Sequence, residues 1–323
     1  MKKLTLAISA IAAAFGAASA QADVSVSGSG SAAYIAPAGT SADAKLNVGQ
    51  FVSFSMSTTT ASGMTISGGM GLSKSVTKDA SPAVTGGQSL TFKTGGATIV
   101  VGDVEAGDTP GSLGGTVGSQ IAEQGSFNSD VEDGFFDDDG LGLSLSTAVG
   151  TSSLKVVYVA NDNVNAVGEM NSADSGADAV TSASITVPMG AYTITAGVAD
   201  SDTGESASGA SVSAALGGGT VTVGYSNQTL VDGTSDATSN DLSANGDTTS
   251  MGAKYVMSLD ADTSVSIGLQ NRKDADDDST SQFDASVSRA LGGGASVFLD
   301  IRSLTGDATV KGSAVAVGTS VSF

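Results

Sequence analysis

The chain of 323 residues contains no cysteine and no histidine. Disulfide bridges are therefore excluded, and so are zinc sites that need thiolate or imidazole ligands. Catalysis by Ser-His-Asp or Cys-His groups is excluded on the same ground. Carboxylates and lysines remain as acid and base groups, but the acids show no pattern typical of a paired general acid and base. The sequence therefore predicts a protein that is not an enzyme.

Positive charge is also scarce, because 13 Lys and Arg stand against 33 Asp and Glu, for a formal net charge of −20. Nucleic acid is not expected as a partner, since phosphate binding needs clustered Lys and Arg. No stretch shows a helical period, and after the N-terminal segment none is apolar enough for a membrane-spanning helix. A composition rich in Gly, Ala, Ser, Thr and Val instead favours many short strands and turns.

The N-terminus has the parts of a secretory signal peptide. Two lysines precede an apolar run over residues 4–15, and small residues follow. This run is too short to span a membrane as a helix. Two cleavage sites compete, after Ala20 and after Ala22. We favour the second, which predicts a signal peptide over 1–22 and a mature single domain over 23–323.

Alternation of larger apolar and small or polar residues predicts sixteen strands. A tight turn follows every second strand and a longer connection follows each of the others. An up-and-down barrel places all short turns at one end and all long connections at the other. The sequence therefore predicts an all-β protein, a closed antiparallel transmembrane barrel. The alternative is a secreted or surface structural or adhesive all-β protein without a pore. The predicted strands are 24–36, 47–59, 64–77, 88–94, 97–102, 141–148, 152–160, 180–187, 190–199, 206–216, 220–229, 248–259, 263–272, 281–291, 295–304 and 312–323.

Most charge falls on one strand face or in the connections, as a wall that meets lipid requires. The exceptions are Lys74, on the outward register near the outer rim, and Arg289, on the outward register near the periplasmic end, where its long side chain can reach the interface. In strand 263–272, Val265, Ile267 and Leu269 share one face and Arg272 lies on the other. Of the acids, only Asp284 and Asp300 fall within predicted strands. By the same alternation the wall bases that point inward are Lys93, Lys155, Lys254, Arg272 and Arg302.

The last strand ends on an aromatic residue, Phe323, with no polar tail. Its odd positions carry the larger apolar side chains and its even positions the small ones. We predict that this strand, 312–323, pairs with strand 24–36 and closes the barrel, so that no edge is left.

The longest connection, 103–140, is rich in acids and has no Lys or Arg. Connections longer than about 15 residues are usually functional or disordered. Its apolar residues include Phe127, Phe135 and Phe136, which a purely solvated loop does not need. We predict that it packs against the inner wall, and a solvated surface loop is the alternative. The candidate pore acids are Glu105, Asp108, Glu123, Asp130, Glu132, Asp133, Asp137, Asp138 and Asp139.

Segments 52–70, 95–115, 291–301 and 318–323, together with the strand count, resemble the general diffusion porins of alphaproteobacteria, the Rhodobacter type. The resemblance implies a sixteen-stranded barrel in the outer membrane of a Gram-negative bacterium, surrounded by lipid and lipopolysaccharide, and usually a homotrimer. It also implies passive diffusion of small hydrophilic solutes and ions. In that family the third outer loop folds into the pore, its acids face wall bases, and calcium binds among the acids.

The sequence departs from that family on the early wall, where several arginines are usual and Gly49 and Phe51 stand here. With few bases and many acids, the channel is predicted to favour cations. Asp137, Asp138 and Asp139 are candidate calcium ligands, although their segment lacks the twelve-residue spacing of a calcium loop, and solvated acids are the alternative. No cofactor is expected to be required.

Overall fold

The computed structural model describes residues 23–38, 44–75, 83–85, 89–105, 139–160, 179–202, 204–230, 246–273, 279–306 and 312–323. These residues form seventeen strands in one antiparallel sheet. Among them is no helix long and apolar enough to cross a membrane. The strands are β1 (Asp23–Ala38), β2 (Lys45–Thr59), β3 (Thr65–Ser75), β4 (Ala83–Thr85), β5 (Ser89–Thr94), β6 (Ala97–Glu105), β7 (Asp139–Val149), β8 (Ser152–Val159), β9 (Val180–Met189), β10 (Tyr192–Ser201), β11 (Ser206–Leu216), β12 (Gly219–Leu230), β13 (Gly246–Ser258), β14 (Thr263–Lys273), β15 (Ser279–Gly292), β16 (Ala295–Gly306) and β17 (Gly312–Ser322).

The sheet closes on itself, because β1 pairs with β2 on one side and with β17 on the other. Both β4 and β5 pair with β3, so they are two pieces of one barrel strand and the barrel has sixteen strands around its wall. The predicted closure of the first strand on the last is confirmed, with Ser29 opposite Ser322 and Ala38 opposite Ser313. A sandwich of two sheets is excluded, because the strands that the structure describes leave no open sheet edge.

Tight turns join alternate strands, as the sequence predicts. Residues 95–96, 217–218 and 293–294 are pairs of glycines with positive φ, for example 51° and 89° at Gly95 and Gly96. Two consecutive positive φ angles define the hairpin turn whose twist matches the strands, and glycine adopts them without strain. All such turns lie at one end of the barrel, the turn end, and the longer connections leave the other, the loop end.

The strands next to the longest connection are longer than alternation predicts. Pairing of β6 with β7 continues to Glu105 opposite Asp139, so Asp103, Glu105 and Asp139 belong to strands and the connection is 106–138. Main-chain hydrogen bonds do not depend on the side chain, so a ladder continues through acids once it has left the apolar band.

The outer face carries an aromatic residue near each end of the apolar band. All five tyrosines lie in strands at positions that alternate outward. Such girdles mark the two interfaces of a membrane-spanning barrel, because the ring is apolar and the hydroxyl is polar. Tyr34, Tyr158 and Tyr225 lie toward the loop end, and Tyr192 and Tyr255 toward the turn end.

Candidate functional site in the barrel interior

Each strand separates an outward apolar face from an inward polar face. On β14, Ile267 and Leu269 are 43% and 57% exposed, whereas Gly268 and Gln270 are buried. Arg272 follows on the same side as Gln270, as strict alternation requires. The buried, polar face is the inner wall, and exposed apolar side chains cover the outside.

The register places all five predicted wall bases on the inner face. Lys93 and Lys155 lie in one row across β5 to β8, with Thr98 and Ser146 between them. Lys93 is exposed, and Lys155 and Lys254 are half-buried, so the three lysines keep contact with solvent in the barrel interior. A positive charge that remains solvated there can act on a passing ion.

Arg302 behaves differently, because it forms an ion pair with a wall acid. Its Nε lies 3.1 Å from Oδ1 of Asp284, and each side chain is 1% exposed. Gln282 donates from Nε2 to the other carboxylate oxygen at 2.6 Å. The two charges are paired within the wall, on the inward face that the sequence predicts for Arg302. A buried pair of this kind is costly to break, because the remaining charge is left without a partner in a poorly solvated place.

The second wall acid, Asp300, also has a partner. Ser286 donates its hydroxyl to Oδ1 of Asp300 at 2.6 Å, and Asp300 is 1% exposed. The two acids that the sequence placed inside strands therefore both face inward, within the wall of β15 and β16.

Arg272 lies in a row of hydroxyl side chains that crosses β12 to β15. The row consists of Ser226, Ser250, Arg272 and Thr280. In the described part of the chain, the hydroxyls of Ser226 and Thr280 are buried without a hydrogen-bond partner, and so is that of Thr248 in the adjacent row. Buried hydroxyls are nearly always paired with protein or water. This row therefore offers polar groups that water or a polar solute can bond.

An apolar patch interrupts the polar inner wall near the loop end. We call it the inner-wall apolar patch, and its members are 0% to 6% exposed. The patch begins on β6, directly before the connection 106–138 leaves that strand. Side chains of this kind are stable on a pore wall when another apolar surface covers them. Its members are Val104, Val157, Val159, Val180, Ala199 and Ala207.

Of the nine predicted pore acids, the described residues include two, Glu105 and Asp139. The main chains of Glu105 and Asp139 oppose each other at the loop end of β6 and β7. Within the residues that the structure describes, no group of three or more acids is arranged to hold a metal ion. The acids that lie outside the described residues are Asp108, Glu123, Asp130, Glu132, Asp133, Asp137 and Asp138.

Sequence reasoning missed the partner of Arg302. Arg302 was predicted to point inward and Asp284 only to lie within a strand, so no partner was assigned to either. In the structure Gly292 lies opposite Ala295, a register from which Asp284 would face Ser303. A register shift between Ala290 and Gly292 moves the ladder by one residue and brings Arg302 opposite Asp284. A bulge of this type has no reliable sequence signal beyond its glycines.

Comparison with known proteins supports the architecture. The sequence matches the Gram-negative porin family over residues 7–309, and no curated protein matches it. A porin structure refined at 1.8 Å resolution is 17% identical with a TM-score of 0.68, over 93% of this chain and 100% of that one. The anion-selective porin from Comamonas acidovorans is 11% identical with a TM-score of 0.67, over 94% of this chain and 100% of that one. A mutant of the Rh. blastica porin is 13% identical with a TM-score of 0.63, over 93% and 100%.

At these identities the solved structures show the fold alone, which is the closed porin barrel. The family match covers most of the chain, from the N-terminal segment to the last hairpin. The protein therefore belongs to the Gram-negative porin family, whose barrels form channels in the outer membrane.

Proposed function

We propose that this porin is a general diffusion channel of the alphaproteobacterial type, which passes small hydrophilic solutes and prefers cations to anions. The observation that carries the proposal is the polar inner face of a closed barrel. Small hydroxyl side chains bond to one another across neighbouring strands, as Ser25 to Ser55 and Ser27 to Ser53 at 2.6 Å. Such residues fill little volume and hold water, which suits a channel better than a packed core.

The constriction is proposed to be the connection between β6 and β7, the third of the long connections. Support comes from the inner-wall apolar patch, whose member Val104 lies one residue before Glu105, the last residue of β6 before the connection begins. We expect Phe127, Phe135 and Phe136 to pack on this patch, because burial of aromatic and aliphatic surface is favourable. The loop would then cross the lumen instead of standing in solvent.

Such packing would bring carboxylates to the narrowest level of the channel. Acids in a narrow, poorly solvated neck raise the local concentration of cations and repel anions. The Arg302–Asp284 pair favours the same selectivity, because it removes one of the five bases from the field. The acids concerned are Asp108, Glu123, Asp130, Glu132, Asp133, Asp137 and Asp138, with Glu105 and Asp139 at the loop ends.

The fold does not decide the selectivity, since a porin of this fold from Comamonas acidovorans is anion-selective. Selectivity is therefore a property of the charged side chains. The test is the reversal potential across a planar bilayer under a KCl gradient. We expect cation preference in the parent and a shift toward anions when Glu132, Asp133, Asp137, Asp138 and Asp139 are changed to Asn or Gln. Anion preference in the parent, or no shift in the variant, contradicts the proposal.

We further propose that calcium binds among Asp137, Asp138 and Asp139, as the family resemblance implies. Crowded carboxylates repel one another, and this repulsion raises their pKa values. A bound divalent cation would relieve the repulsion. Calcium should therefore weaken cation preference, and a chelator should restore it. The measurement is the reversal potential with calcium and with chelator. An identical response from the variant in which these three acids are Asn would contradict the assignment.

A homotrimer is proposed on the same resemblance. The expected result is a particle of three chains when the folded protein is analysed in mild detergent by light scattering. A monomer that conducts with the parent's selectivity would contradict the trimer and leave the channel proposal intact.

A further inference from the structure

Phe51 is a large apolar residue on the inner face of β2, whose other inward positions carry glycine or polar residues. It lies opposite Ser29 of β1, and the next opposite pair on the same face, Ser27 and Ser53, joins its hydroxyls at 2.6 Å. Val52 alternates to the outside with the apolar face of the strand. Phe51 is the seventh residue of the fifteen in β2, so its ring projects into the lumen from the middle of the strand.

The ring of Phe51 is 37% exposed. The residues directly opposite are Ser29 and Ser73, and Gly49 and Ser53 come next on the same face of β2. The diagonal neighbours in β1 and β3 are likewise serine or glycine. Among the described residues, a Cβ added at Gly49 would meet one atom within 4 Å, the Ser31 hydroxyl at 3.1 Å. The space beside the ring on the Gly49 side is therefore open to the lumen.

An aromatic ring in this position has no protein surface to pack against, because none of its neighbours by register is large. Exposure of an apolar ring to water is unfavourable, and burial under the apolar surface of a solute is favourable. Binding sites for small molecules combine such apolar surface with a few placed polar groups. The polar groups next to Phe51 are serine hydroxyls.

The hydroxyls beside the ring can bond to a solute although they also bond to each other. Ser27 pairs with Ser53, and Ser25 pairs with Ser55 two residues nearer the turn end, each at 2.6 Å. A hydroxyl donates once and accepts twice, so each pair keeps a donor and several acceptor positions. Successive inward residues of a strand are about 7 Å apart. A sugar ring that lies on Phe51 can therefore place its hydroxyls on the Ser27–Ser53 pair.

We propose that Phe51 is a stacking platform for neutral sugars and that the Ser27–Ser53 pair is their first hydroxyl contact. The C–H face of a sugar ring is apolar, and it matches the negative face of an aromatic ring. The hydroxyls at the edge of the sugar match the serines. No neighbour of Phe51 by register is charged, which favours an uncharged solute over an ion. The inference rests on the proposed diffusion channel and names a solute class for it.

The test is saturation-transfer NMR on the folded porin in detergent, with glucose and with sorbitol as probes. Glucose presents a ring face, whereas sorbitol carries hydroxyls on an open chain. We expect transfer from the protein to the ring protons of glucose, and much weaker transfer to sorbitol. Phe51→Ala should weaken glucose binding about tenfold, the effect of losing one stacked ring, whereas Phe51→Tyr should bind as the parent does.

Phe54→Ala is the matched control, because Phe54 lies on the outward face of the same strand and should not affect glucose binding. Equal glucose binding by Phe51→Ala and the parent would overturn the proposal. Equal transfer to glucose and sorbitol in the parent would also overturn it, because the wall would then be a general hydroxyl surface.

A third contrary result is a change of reversal potential in Phe51→Ala with glucose binding unchanged, which would assign the ring face to cations instead. The NMR measurement does not need ion flow. Conductance of the parent in KCl is measured separately, so failure of the sugar site is distinguishable from failure of the channel proposal.

Discussion

The ring of Phe323 lies over Gly28, where the last residue of the chain meets the first strand. The two residues exchange main-chain hydrogen bonds of 2.8 and 2.9 Å. A Cβ added at Gly28 would come within 2.6 Å of two ring carbons of Phe323. A side chain larger than glycine at this position would therefore have to displace the terminal aromatic ring, which is 84% exposed, at the contact where the barrel closes.

Gly28→Val should displace the ring of Phe323 and weaken closure by about 1 kcal/mol, the lower end of the cost of overpacking, because the exposed ring can move aside. The measurement is the temperature at which the folded barrel denatures on heating in detergent. Gly30→Val is the control, since a Cβ at Gly30 meets Val321 at 3.6 Å, an ordinary contact. Equal denaturation temperatures for the two variants would show that the Phe323 contact does not stabilise closure.

Asp284→Asn should be strongly destabilising, by about 3 kcal/mol, because Arg302 would remain buried beside a neutral group. It should also shift the reversal potential toward anions, since a positive charge on the inner wall is no longer balanced. The double change of Asp284→Leu with Arg302→Met should recover most of the stability. The measurements are thermal denaturation and reversal potential. A double variant less stable than Asp284→Asn would show that the pair is not what stabilises this part of the wall.

Lys155→Gln and Lys254→Gln should each increase cation preference, because these inward lysines keep contact with solvent in the lumen. The effect should decrease with salt, since the Debye length is about 10 Å at 0.1 M. Arg289→Gln is the control, because Arg289 is exposed at the turn end, 3.9 Å from Asp260. The measurement is the reversal potential at low and high KCl, and a shift in the control as large as in the lysine variants would contradict the assignment.

Asp260 caps the turn between β13 and β14. The main-chain N–H groups of Asp262 and Thr263 each donate to its Oδ1 at 2.8 Å, and the Thr263 hydroxyl donates to Oδ2 at 3.1 Å. These bonds, first that from the Asp262 main chain and then that from the Thr263 hydroxyl, lower the pKa of Asp260 below its ordinary value of 3.8. Folding therefore favours the carboxylate form.

A lowered pKa gives stability that is present above the unfolded value of 3.8 and is lost as pH falls through the folded value. The parent should be more stable than Asp260→Asn at neutral pH, and the difference should shrink between about pH 4 and pH 2. Asp262→Asn keeps the main-chain donor and serves as the control. The measurement is denaturation temperature against pH, and a difference that stays constant to pH 2 would contradict the cap.

Much of the fold follows from local pattern. Strand β11 was predicted and found at the same residues, Ser206–Leu216, because strict alternation and the Gly217–Gly218 turn define both its face and its end. Short turns and long connections alternate along the chain. This alternation likewise indicated a barrel before any contact was known. The inward position of Arg272 needed only the period of two.

The sequence by itself determined where the strands lie to within a few residues, which face most of their side chains take and that the first and last strands meet. These properties depend on neighbours two residues apart, which local patterning encodes. Only the tertiary structure decided that Asp284 and Arg302 form a buried ion pair, because the contact of two side chains within the wall depends on packing across strands and not on the pattern of one strand. It alone also decided that Phe323 rests on Gly28 and which residues surround Phe51 on the inner wall. Such relationships depend on register and tilt across strands, which main-chain hydrogen bonds set for the whole sheet together.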